Sequence, residues 1–161
     1  MADHEPPHPS PRPRAQRKQD VLDRLATEED IWVATASTDG EPCLVPLWFL
    51  WDAGAETDAG TLLFCTKRNN PTARNLTPQS EVRLSLGHTR DVVLIDGTAE
   101  KVEGTDLPTP SADAFAAKLS WDPRGATDWV YLRVTPRTVR AWHEEHELKG
   151  RVLMRDGAWL A

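Results

Sequence analysis

The chain has 161 residues with 39% hydrophobic and 27% charged, which fits one soluble globular domain with a proper core. No apolar run approaches the roughly 20 residues that cross a bilayer, and no signal-peptide core opens the chain, so a cytoplasmic protein off the membrane is expected. The net charge of −6 argues against general nucleic-acid binding.

Met1 to about Arg17 reads as a flexible tail, rich in proline and with almost nothing to bury, which leaves residues 18–161 as the folded domain. His4 and His8 lie in it as stray polar residues. Its end is basic, with Arg12, Arg14, Arg17 and Lys18; a solvated run or a contact to an anionic ligand or another subunit both fit. Gln16 to Glu29 follows with Val21, Leu22 and Leu25 at helical spacing, a helix covering the end of a β structure.

Ile31 to Ala36 is a strand, and Asp39-Gly40 after it is a hairpin turn. The return strand Pro42 to Trp51 is apolar on both faces, so core should cover one and a ligand or partner chain the other. Pro46 cannot donate to a ladder, so one side of that strand is unpaired there. Such an edge can offer backbone groups to a ring, while a β-bulge is the ordinary alternative.

Asp52 to Gly60 is a soft loop, and Leu62 to Cys65 is a strand. From Thr66 to Ser80 there is no acidic residue, yet Lys67, Arg68 and Arg74 surround a helix start at Asn70-Pro71-Thr72. A helix start carries free N–H groups and positive partial charge, so cations gathered there suit a bound anion such as a phosphate. The plain alternative is a solvated basic patch.

Glu81 to Gly87 alternates, with Val82, Leu84 and Leu86 inward and Arg83 and Ser85 outward. Asp91 to Val102 reads as one bent strand with a bulge at Asp96-Gly97. Thr109-Pro110 starts a helix burying Ala114, Phe115 and Leu119, with Trp121 beyond. Trp129 to Val134 is a strand, broken at Thr135-Pro136 and resumed from Thr138 to Trp142. His143 to Lys149, HEEHELK, lacks the i, i+4 histidine pair of a helical zinc motif, so no metal is expected. Cys43 and Cys65 have no metal or CxxC spacing and read as buried thiols. About seven strands and two or three helices make a mainly β, α+β fold, an antiparallel barrel with helices over its ends. No nucleophile motif or other catalytic side chain stands out.

The order of these motifs resembles the pyridoxamine 5'-phosphate oxidase-like split-barrel superfamily, which includes FMN enzymes and deazaflavin (coenzyme F420) reductases. The residues are the Thr-Asp-Gly-x-Pro turn, Val45-Pro46-Leu47, LLFCT with a basic turn and ARNL, and the strand carrying Gly97. Arg133-Val-Thr-Pro136-Arg-Thr-Val139-Arg-Ala-Trp142 matches the family's closing strand. The resemblance implies a homodimeric split barrel that binds FMN, or alternatively F420, and transfers hydride to a small-molecule substrate.

It places the ring against Val45, Pro46, Leu47 and Trp48, and the phosphate at Thr66, Lys67, Arg68, Thr72 and Arg74. Trp142 and Arg151 take the family's flavin-contacting positions, here contributed by the partner subunit. Departures are equally specific. Asn70-Pro71-Thr72 stands where the oxidase has Ser-Arg-Lys, and Val92 stands where it has a glutamine. Glu147 and Lys149 occupy the positions of its substrate-holding arginine and histidine. A carboxylate facing a substrate phosphate is repulsive, so pyridoxamine phosphate oxidation itself is not expected. A non-catalytic carrier of flavin, F420 or heme on the same barrel is the alternative.

Overall fold

The computed structural model describes residues 9–54 and 59–161. His4 and His8, and part of the Asp52 to Gly60 loop, lie outside the described residues. Eight strands form one antiparallel sheet: β1 (Asp30–Ala36), β2 (Pro42–Asp52), β3 (Thr61–Lys67), β4 (Ser80–Ser85), β5 (Asp91–Val102), β6 (Trp129–His143), β7 (Val152–Arg155) and β8 (Ala158–Trp159). The order is β3-β2-β1-β4-β5-β6-β7-β8, and an added β3–β6 pairing closes the first six into a barrel. The helices are α1 (Arg14–Thr27), α2 (Pro71–Arg74) and α3 (Thr109–Leu119).

Inside the barrel, Ile31, Val33, Phe49, Leu62, Phe64, Val82, Leu84, Ile95, Leu132 and Val139 form the main core, with Val21 and Leu25 of α1 against it. The alternating strands deliver these side chains because successive residues point to opposite faces. A second core lies outside the barrel under α3, around Leu63, Cys65, Phe115, Leu119 and Tyr131. The buried stripe of α3 is Ala112, Phe115 and Leu119; Ala114, expected inside, is exposed. Helix α1 begins at Arg14, so residues 14–17 of the expected tail are its first turn.

β5 is continuous and pairs regularly with β4. Its register with β6 shifts at Asp96/Gly97, but the extra residue is Arg137, so the bulge lies on β6 and not within β5 as expected. β6 is also one strand, through Pro136, which pairs with Gly97. A Cβ on Gly97 would sit 2.6 Å from the Thr135 carbonyl oxygen and 2.9 Å from Val134 Cγ1. Only glycine lets the two backbones approach so closely. Gly97→Ala is therefore expected to destabilise the fold by about 1–3 kcal/mol, read from a urea melt; an unchanged midpoint would contradict that packing.

β2 and β3 part company beyond Phe49 and Phe64. β2 pairs with β1 along Pro42–Trp48 but with β3 only along Phe49–Asp52. Short helix α2 sits at this split, where Thr72 Oγ1 lies 4.0 Å from Cys43 Sγ. The Phe49 N–H donates to the Glu29 carbonyl at 2.9 Å. By antiparallel alternation Cys43, Val45 and Leu47 then bond toward β1, and Pro42, Leu44, Pro46 and Trp48 turn their main-chain groups to the open edge.

Candidate functional site

The site builds outward from that open edge. Pro42 and Pro46 have no N–H, so Leu44 and Trp48 are the edge donors, with the carbonyls of all four as acceptors. Within the expected Val45 to Trp48 ring contact, Pro46 and Trp48 present backbone to the edge, whereas Val45 and Leu47 are engaged with β1. Beside the edge, the outer face of the sheet is apolar. Leu44 is 62% exposed, Trp48 49% and Trp32 42%. The face expected to be covered by a ligand or partner is thus open in the single chain.

The predicted anion-binding residues do not converge. Thr66 is buried, and its Oγ1 accepts from Asn70 Nδ2 at 2.9 Å, so Asn70 caps no helix N–H. α2 is a single turn, which leaves less of a dipole than a full helix would supply. Arg68 grips Glu103 from the end of β5, with Nη1 donating to Oε1 at 2.8 Å, and its Nε donates to the Thr127 carbonyl at 2.8 Å. The expected carboxylate-free cluster is thereby filled by a glutamate distant in sequence. Hydrogen bonding to Arg68 in turn lowers the Glu103 carboxyl from its ordinary range. Lys67 lies near the Trp129 ring at 5.8 Å.

Arg74 goes elsewhere. It lines a cleft of about 520 Å³ with Pro42, Cys43, Pro71, Asn75, Asp39 and Glu41. Arg68 lines a separate cleft of about 180 Å³ with Cys65, Glu103, Trp129 and Tyr131. The two share no lining residue. No hydrogen bond or ion pair holds the Arg74 guanidinium among the described residues. Thr72 is buried behind it. In the other cleft, burial pushes the Cys65 thiol up to about 12, so it stays protonated and a poor nucleophile at neutral pH.

Trp142 and Arg151 do come together. The Arg151 guanidinium lies 5.7 Å from the Trp142 ring centroid, and its Nη1 donates to the Leu148 carbonyl at 3.3 Å. They sit at the far end of β6, beside Val92 of β5. The β3 strand that joins β2 to β6 pairs only with Trp129–Val134, so Trp142 lies at the other end of β6 from the part nearest the open edge. Within one chain, then, the residues assigned to the ring fall into two groups, at Pro46–Trp48 and at Trp142–Arg151.

Glu147 differs most from its expected place. It is fully buried and faces no open cleft. Its Oε1 accepts from the Arg12 main-chain N–H at 2.8 Å and Nε at 2.9 Å, and its Oε2 from Arg12 Nη2 and from the His143 N–H, each at 2.7 Å. Burial works against its charge. The hydrogen bonds from the Arg12 side chain and from the Arg12 and His143 backbones outweigh that, leaving the carboxyl well below its usual range. Arg12 was not legible as its partner, since 135 residues separate the two. Lys149 is exposed, and among the described residues no cluster of His, Cys, Asp or Glu is placed to hold a metal.

A closed six-stranded antiparallel barrel, split between β2 and β3 and plugged by a one-turn helix, defines the split-barrel class. Residues 18–143 match the family model described as pyridoxamine 5'-phosphate oxidase, and the chain belongs to that family. Comparison with curated proteins finds no significant match. Solved structures share the fold. The general stress protein 26 of Bacillus anthracis str. Sterne is 16% identical, covering 77% of this chain and 92% of its own, with a TM-score of 0.55. An F420 reductase is 22% identical over 73% and 94%, with a TM-score of 0.52. HutZ, described as the heme storage protein of Vibrio cholerae, is 14% identical over 74% and 89%, with a TM-score of 0.55. No helix among the described residues is long and apolar enough to cross a membrane.

Proposed function

We propose that the chain is a homodimeric flavin- or deazaflavin-dependent oxidoreductase acting on a small molecule, with FMN the favoured cofactor and F420 the alternative. The observation that carries this is the open β2 edge beneath an exposed apolar face. Two main-chain donors and four carbonyls there suit the polar rim of a planar heterocycle, and Trp32, Leu44 and Trp48 suit its faces or a second copy. A bound flavin or deazaflavin supplies the hydride chemistry.

The residues fit such a ring better than they fit its phosphate. The main chain of Val45, Pro46, Leu47 and Trp48 meets the ring, of which Pro46 and Trp48 carry the free edge groups. Arg74 meets the anionic end, and Thr72, buried beside Cys43, joins it only once uncovered. Thr66, Lys67 and Arg68 contribute only on giving up their present partners. Trp142 and Arg151 come from a second copy, because they lie at the opposite end of β6 from the part that β3 joins to the open edge. Glu147 cannot contact a substrate while it is sealed under Arg12, which supports an activity other than pyridoxamine phosphate oxidation.

The test is spectroscopic. The purified full chain, offered FMN or F420 at micromolar concentration, should take up one of them and show its absorbance, bleached by a reductant. A colourless protein that takes up neither ends this reading. Arg74→Met should weaken FMN uptake about tenfold, the worth of one charge-assisted hydrogen bond, and Arg68→Met should weaken it less. The reverse order would put the phosphate beside Trp129 instead.

A carrier that holds a planar molecule without turning it over is the second reading. The specific support is that Asp39 and Glu41 share the Arg74 cleft, two carboxylates against one cation. A bound cofactor that electron acceptors cannot reoxidise would favour the carrier.

A further inference from the structure

The fully buried Glu147 lies within the turn between β6, which ends at His143, and β7, which starts at Val152. Trp142 and Arg151 flank that turn. The amino-terminal segment holds it twice. Arg12 binds the Glu147 carboxylate through its main-chain N–H, Nε and Nη2. Arg17, itself 5% exposed, donates from Nη1 to the carbonyls of Glu147 at 3.0 Å and Lys149 at 3.4 Å. Its Nε donates to the Arg12 carbonyl at 2.9 Å, so the two arginines act as one clamp, and Asp20 braces Arg12 from α1.

The turn has something to be held against. Glu144 has φ 41° and ψ −156°, a conformation that a non-glycine residue keeps only when its surroundings impose it. A further point is charge. If Arg12 is removed, the buried carboxylate keeps only the more distant Arg17, whose Nε lies 3.7 Å from Oε2, and the turn itself carries Lys149 and Arg151. Drawing Arg151 toward Glu147 would take it from Trp142.

We infer that Arg12, Arg17 and Glu147 are positioning residues: they fix the turn that presents Trp142 and Arg151, so the segment from Arg12 onward is part of the cofactor site. The inference rests on the reading that Trp142 and Arg151 contact the cofactor. A segment that reads in sequence as a loose tail thus governs a site to which it contributes no contacting atom. Position 147 serves as its internal anchor rather than as a substrate ligand.

The test compares Arg12→Met, Arg12→Lys, Arg151→Met and the Arg12→Met/Arg151→Met double variant in the full chain, by titration with FMN and F420. Arg12→Met should bind about tenfold more weakly, Arg12→Lys should recover part of the loss, and the double variant should bind no more weakly than Arg151→Met alone. Losses that multiply in the double variant, or a folded Arg12→Met with unaltered affinity, overturn the inference. Should Arg12→Met fail to fold, Asp20→Asn loosens the clamp without baring the carboxylate and should show the same non-additivity with Arg151→Met.

Amide hydrogen exchange gives a readout free of cofactor. In Arg12→Met it should accelerate over residues 143–151 well beyond the acceleration that the lower global stability gives the β4 and β5 core amides. Equal acceleration everywhere marks a purely structural role and overturns the inference. Failure of the unaltered chain to take up either cofactor overturns the reading of the site, and the link from clamp to cofactor falls with it. Extra acceleration confined to residues 143–151 would still show that the clamp orders the turn.

Discussion

Arg12→Met is expected to destabilise the protein by about 3–5 kcal/mol, the cost of removing the closer partner of a buried carboxylate. Arg17, whose Nε lies 3.7 Å from Glu147 Oε2, is left to hold the loss toward the lower value. For a chain of this size that lowers the melting temperature by roughly 10 °C. The size of the effect follows from Glu147 having no exposed surface and taking three of its four hydrogen bonds from Arg12. One of those three, from the main-chain N–H, survives the substitution, which favours the lower end of the range. Arg12→Met/Glu147→Gln should recover part of the loss, because a neutral amide is far cheaper to bury than an unpaired charge. A midpoint within about 0.5 kcal/mol of the unaltered protein, as for an ordinary surface change, would mean that Arg12 does not hold Glu147 in solution.

The same pair makes stability depend on acid. The folded-state pKa of Glu147 lies below its unfolded value. The folded protein therefore binds fewer protons there, and the stabilisation is fully present above the unfolded carboxyl value near pH 4.3. It is lost progressively as pH falls below that value toward the depressed folded one. Glu147→Gln should flatten this part of the curve between neutral pH and pH 3. An acid limb unchanged in that variant would assign the acid sensitivity to other carboxylates.

Trp48→Glu is expected to weaken self-association by at least about 2 kcal/mol, some thirtyfold in the dissociation constant. Trp48 stands 49% exposed in the single chain, on an outer face with Trp32 and Leu44. Large aromatic residues of this kind dominate interfaces when covered. A two-fold interface would also bring in two new carboxylates, one from each copy. Because the residues proposed to bind the ring divide between β2 and the far end of β6, loss of the proposed dimer should abolish cofactor uptake in parallel. Leu160→Glu, another exposed apolar position, is the control and should change neither quantity. Light scattering with a cofactor titration decides it; a Trp48→Glu protein still dimeric and still coloured would sink the shared-site proposal.

What the sequence revealed followed from local chemistry. A glycine inside an apolar run marked the place where β5 meets a bulge, though the extra residue is Arg137 of β6, and a proline inside another marked the unpaired edge of β2. What it hid depended on partners far along the chain. Glu103 neutralises Arg68 from 35 positions away, so a basic turn that looked free of carboxylates is not free in the fold. Arg12 and Glu147 meet from opposite ends of the chain, and neither charge announces the other. Pro136 looked like a strand break because its ring removes a ladder donor; the bulge against Gly97 accommodates it, and β6 runs on.

The bare margin of β2 also bears on how this protein avoids fibril formation. An exposed strand edge is a template on which further strands can stack into aggregates. Here alternate positions facing outward are Pro42, Leu44, Pro46 and Trp48, and two of the four can donate nothing to an incoming strand. A would-be neighbour meets gaps in the ladder at Pro42 and Pro46. Replacing both prolines would remove that guard and complete a margin that invites its own kind.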